Sequence, residues 1–346
     1  EMCIRDSDSN GVPHVVFGDI NPVTGERTLW MGRPTSSGPG PFAPLEFFGW
    51  EYELIDSATS GTMGHATIAV DAYDDFHIAY LKGDAVMYVS GSFGEFDAPQ
   101  SVFVGGGVTT APRIALGLNS ALDINIVAAR ADNPWQLWLI KSEDGMASRD
   151  QSMVMSCASV ITQYDMAVRH DGEVVVAAYL DSPDNELTVW EERSGLSKGF
   201  SATSGMNAGV TLTLDENMHY CVTLADLEGT GTGYILRWYG PIDDYIMEDF
   251  TPNANASLTM SQWRTEYGVF ISYLTEYDSG GMWTTDSVAF VEGWGTDLYV
   301  YSFYDDQAVP VRHSCDPFSA DQAVFAYFGD ASIYRDLRVK TGPSIE

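Results

Sequence analysis

Apolar positions in this chain come in short runs, alternating or continuous, cut by clusters of Gly, Asp, Asn, Ser and Pro. That is the signature of short strands and tight turns rather than of helices. One phrase recurs, an apolar strand followed by a turn aspartate. It occurs as His14-Val15-Val16-Phe17 with Asp19, His77-Ile78-Ala79-Tyr80 with Asp84, and Asn125-Ile126-Val127-Ala128 with Asp132. It returns as Val176-Ala177-Ala178-Tyr179 with Asp181 and His219-Tyr220-Cys221-Val222 with Asp226. The last two are Phe270-Ile271-Ser272-Tyr273 with Asp278 and Val324-Phe325-Ala326-Tyr327 with Asp330. Successive phrases start 63, 48, 51, 43, 51 and 54 residues apart. Several strands per period of roughly 40–50 residues is the pattern of a β-propeller.

The second repeat shows the unit most fully. Thr67 to Asp71 reads as a first strand, Phe76 to Lys82 as a second, Ala85 to Ser90 as a third and Ser101 to Val104 as a fourth. Four short strands joined by turns make one antiparallel blade. An aromatic residue marks the third strand at Trp30, Tyr88, Trp138, Trp190, Trp238 and Phe290, and is expected to pack between blades. Turns between first and second strands use pairs such as Asp171-Gly172, and the sixth repeat places Gln262 to Glu266 there. The expected fold is therefore all-β: a seven-bladed propeller of four-stranded antiparallel blades, with six or eight blades as alternatives. The first repeat lacks a first strand in this reading and the last ends after its third, as in an N-terminally truncated ring. Glu1 to Ser7 resembles a translated sequencing adapter, so residues 1–7 are expected to be foreign and 8–346 to form one domain.

Composition narrows the partners. Lys+Arg number 17 against 49 Asp+Glu, a net charge of −32. Such a surface repels phosphate backbones, which excludes nucleic acid as a natural partner, and it suits a marine or otherwise salty medium. No apolar run is long enough to span a bilayer as a helix. Setting Cys3 aside leaves Cys157, Cys221 and Cys315, of which Cys157 and Cys315 are candidates for a bridge.

The phrases Gly11-Val12-Pro13-His14-Val15-Val16-Phe17 and Phe76-His77-Ile78-Ala79-Tyr80 resemble extracellular bacterial propeller repeats of the sialidase-like or BNR-like kind. The resemblance implies a propeller in a secreted or cell-surface setting, and no particular activity. The Ser-x-Asp-x-Gly-x-Thr-Trp boxes of sialidases are missing. Ser142-Glu143-Asp144-Gly145 comes nearest, without the Thr-Trp ending and out of register.

Candidate chemistry is sparse. The aspartates Asp19, Asp84, Asp132, Asp181, Asp226, Asp278 and Asp330 would form an acidic crown if all blades share one orientation; their structural role is to close turns on their own backbone. His14, His77 and His219 are expected to make structural hydrogen bonds. Arg113, Arg169 and Arg312, on or beside first strands, are the candidates for a carboxylate clamp. His170 and Tyr179, with Tyr164, supply the ingredients of a lyase base. Trp263 and Trp283 are the candidate sugar-stacking rings. No metal site or cofactor is called for, and calcium is the one ion the acidic turns would suit. The leading expectation is a non-catalytic, monomeric propeller that binds a glycan or protein through loops on one face. A sialidase-type or lyase-type enzyme, and a structural module of a larger surface protein, are the alternatives.

Overall fold

The computed structural model describes residues 2–7, 12–21, 23–39, 45–104, 112–116, 123–169, 172–181, 184, 186–201, 210–214, 220–225, 233–238, 245–250, 256–265, 268–276, 283–291, 299–304, 314–319, 322–331 and 334–341. Among these residues every regular element is a strand. They form seven antiparallel sheets that succeed one another in chain order. Sheet 1 holds β1 (Met2–Ser7), β2 (Pro13–Ile20), β3 (Arg27–Pro39) and β4 (Leu45–Ala58). Sheet 2 holds β5 (Met63–Val70), β6 (Phe76–Lys82), β7 (Ala85–Ser92), β8 (Glu95–Phe96) and β9 (Gln100–Val104), the last paired with β7. Sheet 3 is β10 (Arg113–Leu116), β11 (Ile124–Arg130), β12 (Trp135–Ser142) and β13 (Asp150–Cys157). Sheet 4 is β14 (Ile161–Val168), β15 (Val174–Leu180), β16 (Glu186–Glu191) and β17 (Leu196–Ser201). Sheet 5 is β18 (Val210–Leu214), β19 (Tyr220–Ala225), β20 (Gly233–Trp238) and β21 (Tyr245–Phe250). Sheet 6 is β22 (Ala256–Thr265), β23 (Gly268–Glu276), β24 (Trp283–Val291) and β25 (Tyr299–Tyr304). Sheet 7 has three strands, β26 (Ser314–Ser319), β27 (Gln322–Ala331) and β28 (Tyr334–Thr341). Successive meanders of this kind are the β-propeller architecture that the repeats predict.

Three details differ from the sequence reading. Met2–Ser7 is the first strand of sheet 1, paired with β2 from Met2↔Phe17 to Ser7↔Pro13, so the first repeat does have its inner strand. Gln262 to Thr265 are ladder residues of β22 and not a turn, Trp263 lying opposite Phe270. Sheet 2 gains β8, folded back on β7 through the two-residue turn Phe93-Gly94.

The chain falls into two compact units. One comprises Glu1–Gly38, Phe47–Thr162 and Val168–Val174; the other comprises Pro39–Glu46, Gln163–Ala167 and Val175–Glu346. In the first unit, the apolar positions of adjacent sheets face each other. Val16, Leu29, Met31 and Ile55 of sheet 1 pack against Ile68, Phe76, Ile78, Tyr80 and Val89 of sheet 2. The other face of sheet 2, with Ala79, Leu81, Tyr88 and Phe103, packs against Ile114, Ile124, Ile126 and Ile140 of sheet 3. Both faces of sheet 2 are thus buried, which is why β6 reads as a continuous apolar run. In the second unit, β15 is buried from Val175 through Leu180.

The third-strand aromatics do not share one register. Tyr88 lies opposite Ala79, whereas Trp138 lies opposite Ala128 and Trp30 opposite Phe17. Ala79 is the third residue of its phrase; Ala128 and Phe17 are the fourth of theirs. A one-residue offset turns a side chain to the opposite face of a strand. Tyr88 accordingly faces sheet 3, and Trp138 faces back toward sheet 2, its ring centroid 5.9 Å from Phe103.

First strands are also tied to one another. Thr67 Oγ1 on β5 accepts the N–H of Ile114 on β10 at 3.1 Å, 47 residues away. Within the second unit, Asp165 Oδ2 on β14 accepts the N–H of Leu212 on β18 at 3.0 Å, again across 47 residues. Thr67 and Asp165 are buried, so each bond satisfies an amide that water does not reach. Thr67→Val keeps the shape and removes the acceptor. It should cost about 1–3 kcal/mol, the desolvation penalty of an unpaired buried N–H. Urea unfolding of the variant beside wild type measures this, and an unchanged midpoint would contradict the tie.

Candidate functional site

At the junction of sheets 1 and 2, the face that buries Leu29 and Met31 continues along β3 to Arg33. A guanidinium there cannot be buried without partners, and it finds two. Its carbon sits 4.2 Å from the centroid of the Phe93 ring, and its Nε donates to Glu51 Oε1 on β4. Glu53, two residues on and on the same face of β4, accepts the N–H of Gly94. Phe93 is held in place by its hairpin. Gly91 has φ 145° and Gly94 φ 94°, and a Cβ on Gly91 would stand 2.5 Å from the carbonyl oxygen of Glu95. Only glycine allows that close approach. The Arg33 and Glu51 side chains remain 39% and 42% exposed, so this constellation opens to solvent. One of the five guanidinium donors is used, and the terminal nitrogens and Glu51 Oε2 have no partner among the described residues.

A second polar cluster lies at the other end of the junction of sheets 1 and 2. Asp56 at the end of β4 accepts from Tyr80 Oη at 2.6 Å and from Lys82 Nζ at 2.8 Å on both oxygens. Burial pushes the Tyr80 phenol pKa well above its usual value, and the hydrogen bond to Asp56 adds to the rise. β7 runs from Ala85, beside the Asp84 turn, to Ser92, beside Phe93. Arg33 therefore lies at the end of the junction away from Asp84.

Each described residue singled out from sequence has its own local setting. Asp19 Oδ1 accepts the N–H of Ile20 at 2.8 Å. Asp84 is exposed in the Gly83-Asp84 turn. Asp132 pairs with Arg130 at 2.6 Å. The carbonyl of Asp181 accepts the N–H of Asp184. The backbone of Asp330 faces Arg335 across the β27–β28 ladder. Asp226, Asp278, Arg312, His170 and His219 lie outside the described residues. Arg113 opens β10, whereas Arg169 follows the end of β14, so the two stand at opposite ends of corresponding first strands. Arg169 is spent on its own hairpin: Nη1 meets Glu173 Oε2 at 3.2 Å and its N–H bonds the Glu173 carbonyl. Tyr179 is fully buried in β15 and Tyr164 nearly so, which leaves neither ring open to solvent as a base. Trp283 opens β24 opposite Glu276. The large aromatics exposed among the described residues are instead Tyr73, 79% exposed on the β5–β6 turn, and Tyr52, 51% exposed on β4. Cys157, one half of the expected Cys157–Cys315 bridge, is instead a thiol that donates to the Ser159 carbonyl at 3.2 Å. No group of three or more His, Cys, Asp or Glu side chains fit to hold a metal occurs among the described residues.

His77 has the structural role its position implies. Its Nδ1 lies 2.6 Å from Tyr88 Oη and its Nε2 3.4 Å from Asp71 Oδ2. Asp71 Oδ1 meanwhile accepts the N–H groups of Tyr73 and Asp75, closing the β5–β6 turn. Burial holds the His77 imidazole below its usual pKa against the opposing pull of Asp71, and pushes the Tyr88 phenol up to about 12.

The Ser142–Asp144 turn is more complete than its sequence suggests. Ser142 Oγ donates to Asp144 Oδ1 at 2.8 Å and accepts the N–H of Met146. Ser148 donates to Asp144 through both N–H and Oγ. Met146, within this turn, takes a left-handed backbone conformation with φ 70°. Hydrogen bonds from Ser148 and then Ser142 hold the Asp144 carboxyl below its usual pKa.

The acid limb of stability follows from these two groups. A fold that keeps His77 neutral binds fewer protons than the unfolded chain once pH falls below about 6.5, so stability drops from there down to the lowered folded value. Asp144 adds a second loss as pH falls from its ordinary value of 3.8 toward its depressed one. His77→Asn, the residue that position 125 carries naturally, should flatten the first step. Melting temperatures from pH 8 to pH 3 check it, and a first step that persists unchanged would refute the assignment.

No protein-family model and no curated protein sequence matches the chain. Solved structures do. The BP39L lectin from Burkholderia pseudomallei superposes with a TM-score of 0.63 at 10% identity, covering 99% of this chain and 95% of that one. The polysaccharide lyase Uly1 gives 0.56 at 10% identity over 99% and 89% of the two chains. A PL25 ulvan lyase bound to -[GlcA(1-4)Rha3S]- gives 0.55 at 11% identity over 99% and 91%. At such identities the likeness is one of fold, shared by lectins and lyases alike.

Proposed function

We propose that this chain is a glycan-binding, non-catalytic propeller of seven blades, acting as a monomer in a secreted or surface-bound setting. Its binding surface would include Arg33, Glu51 and Phe93. The observation that carries the reading is the solvent-facing edge of Arg33, stacked on one ring and pinned by one carboxylate. A guanidinium so fixed has already lost its rotamer freedom, and its remaining donors would be available to a hydroxyl-rich ligand. The similarity to a lectin supports the same reading. The similarity to lyases keeps an enzyme in view, but Arg169 is paired within its hairpin and Tyr179 is buried, so the charge-neutralising arginine and open base of a lyase are not supplied by those residues. The test is a glycan array run with and without calcium, with Arg33→Ala beside wild type. Wild type should bind, and the variant should bind at least about tenfold more weakly, the loss of a charge-assisted hydrogen-bond pair. Chain cleavage of any bound polysaccharide would overturn the non-catalytic reading.

A further inference from the structure

We infer that the Arg33 site takes a neutral glycan presenting two adjacent hydroxyls, and not an acidic polysaccharide; this rests on the glycan-binding reading above. The charges at the site decide it. Arg33 is flanked by Glu51, which holds its Nε, and by Glu53, which anchors the Phe93-Gly94 turn. One positive charge therefore stands beside two negative ones, in a chain whose net charge is −32. A carboxylate or sulfate reaching the terminal nitrogens of Arg33 meets a positive charge already paired with Glu51. Glu53 adds a second negative charge beside it, so little net attraction is left for an anion. An anionic group also only accepts hydrogen bonds, so it offers nothing to Glu51 Oε2.

A hydroxyl pair suits the same atoms. One hydroxyl oxygen accepts from an Arg33 terminal nitrogen, while its neighbour donates to Glu51 Oε2. Both open positions are filled, and no like charges are brought together. Because no net charge is transferred, little counterion rearrangement accompanies binding, and affinity should scarcely depend on salt.

Titration calorimetry with mannan oligosaccharides, oligogalacturonates and chitosan oligomers at low and high NaCl tests this. Mannan oligosaccharides should bind with nearly the same affinity at both salt concentrations, and oligogalacturonates should not bind. Glu51→Gln, which removes one negative charge while keeping the shape, should weaken the neutral ligand and shift preference toward the galacturonates. Arg33→Lys keeps the charge without the planar fork and should lose binding of the neutral ligand. Tighter binding of galacturonates than of mannan by wild type would overturn the inference while leaving the glycan reading intact. Chitosan bound in preference, and weakened by salt, would show recognition by bulk charge and overturn it as well. Failure of all three, and of the wider array, would remove the reading on which the inference stands.

Discussion

Replacing Tyr80 by alanine should lower the free energy of unfolding by about 3–5 kcal/mol, the usual cost of truncating a buried aromatic residue. Tyr80 has no exposed surface and sits in the cluster shared by sheets 1 and 2. Its hydroxyl donates to Asp56, which also holds Lys82. Truncation opens a cavity between the sheets and leaves the carboxylate one donor short. Tyr80→Phe separates the two effects. It keeps the ring and loses one hydrogen bond to a charged acceptor, about 1.5–3 kcal/mol. The raised Tyr80 pKa gives an independent readout. The fold keeps this phenol protonated where the unfolded chain, with its ordinary value of 10.0, releases the proton. Stability should therefore fall as pH rises above about 10, and Tyr80→Phe should reduce that slope. Urea unfolding at neutral and alkaline pH measures both. A Tyr80→Ala midpoint close to that of wild type would mean that sheets 1 and 2 are not joined through this residue.

The strands of sheet 2 were legible because local pattern decides them. Asp71 to Asp75 and Gly83-Asp84 are turns chemically committed to turning, and the apolar run between them had only one place to go. What sequence could not supply was parity. Tyr88 and Trp138 recur at the expected interval, yet a single-residue offset sends them to opposite faces. Interval alone says nothing about which face a side chain takes. The same blindness hid Arg33 and Glu51. Leu29 and Met31 lead into Arg33, and Glu51 and Glu53 lead into Ile55, at steps of two. A charge at the end of a buried face was the available signal, but Phe93, the third member, belongs to the next sheet. The hydrogen bonds that close the Asp144 turn come from Ser148 as well as Ser142, and Met146 between them takes a left-handed conformation that its residue type does not announce.

The second large effect should come from salt. Raising NaCl from about 0.01 M to 1 M shortens the screening length from about 30 Å to about 3 Å. Two opposing consequences follow for this chain. Ion pairs such as Lys82–Asp56 and Arg169–Glu173 weaken, though their short distances and partial burial protect them. Repulsion among the unpaired acidic groups weakens far more, because it acts over longer distances and involves an excess of 32 negative charges. The second term should win, and the melting temperature should rise by several degrees, which for a chain of this size corresponds to a few kcal/mol. Ion exclusion from apolar surface would also stabilise the fold, but that effect keeps growing with concentration and is strongest for sulfate. Screening saturates once its length falls below the spacing of the charges. Equal ionic strengths of NaCl and KCl should therefore act alike and level off. Near pH 4.2, the sequence pI, the excess charge vanishes and the rise should vanish with it. Calorimetry across salt at pH 7.5 and pH 4.2 reads both limbs. A melting temperature that is flat in salt at pH 7.5, or that rises equally at both pH values, would show that charge repulsion does not limit this fold.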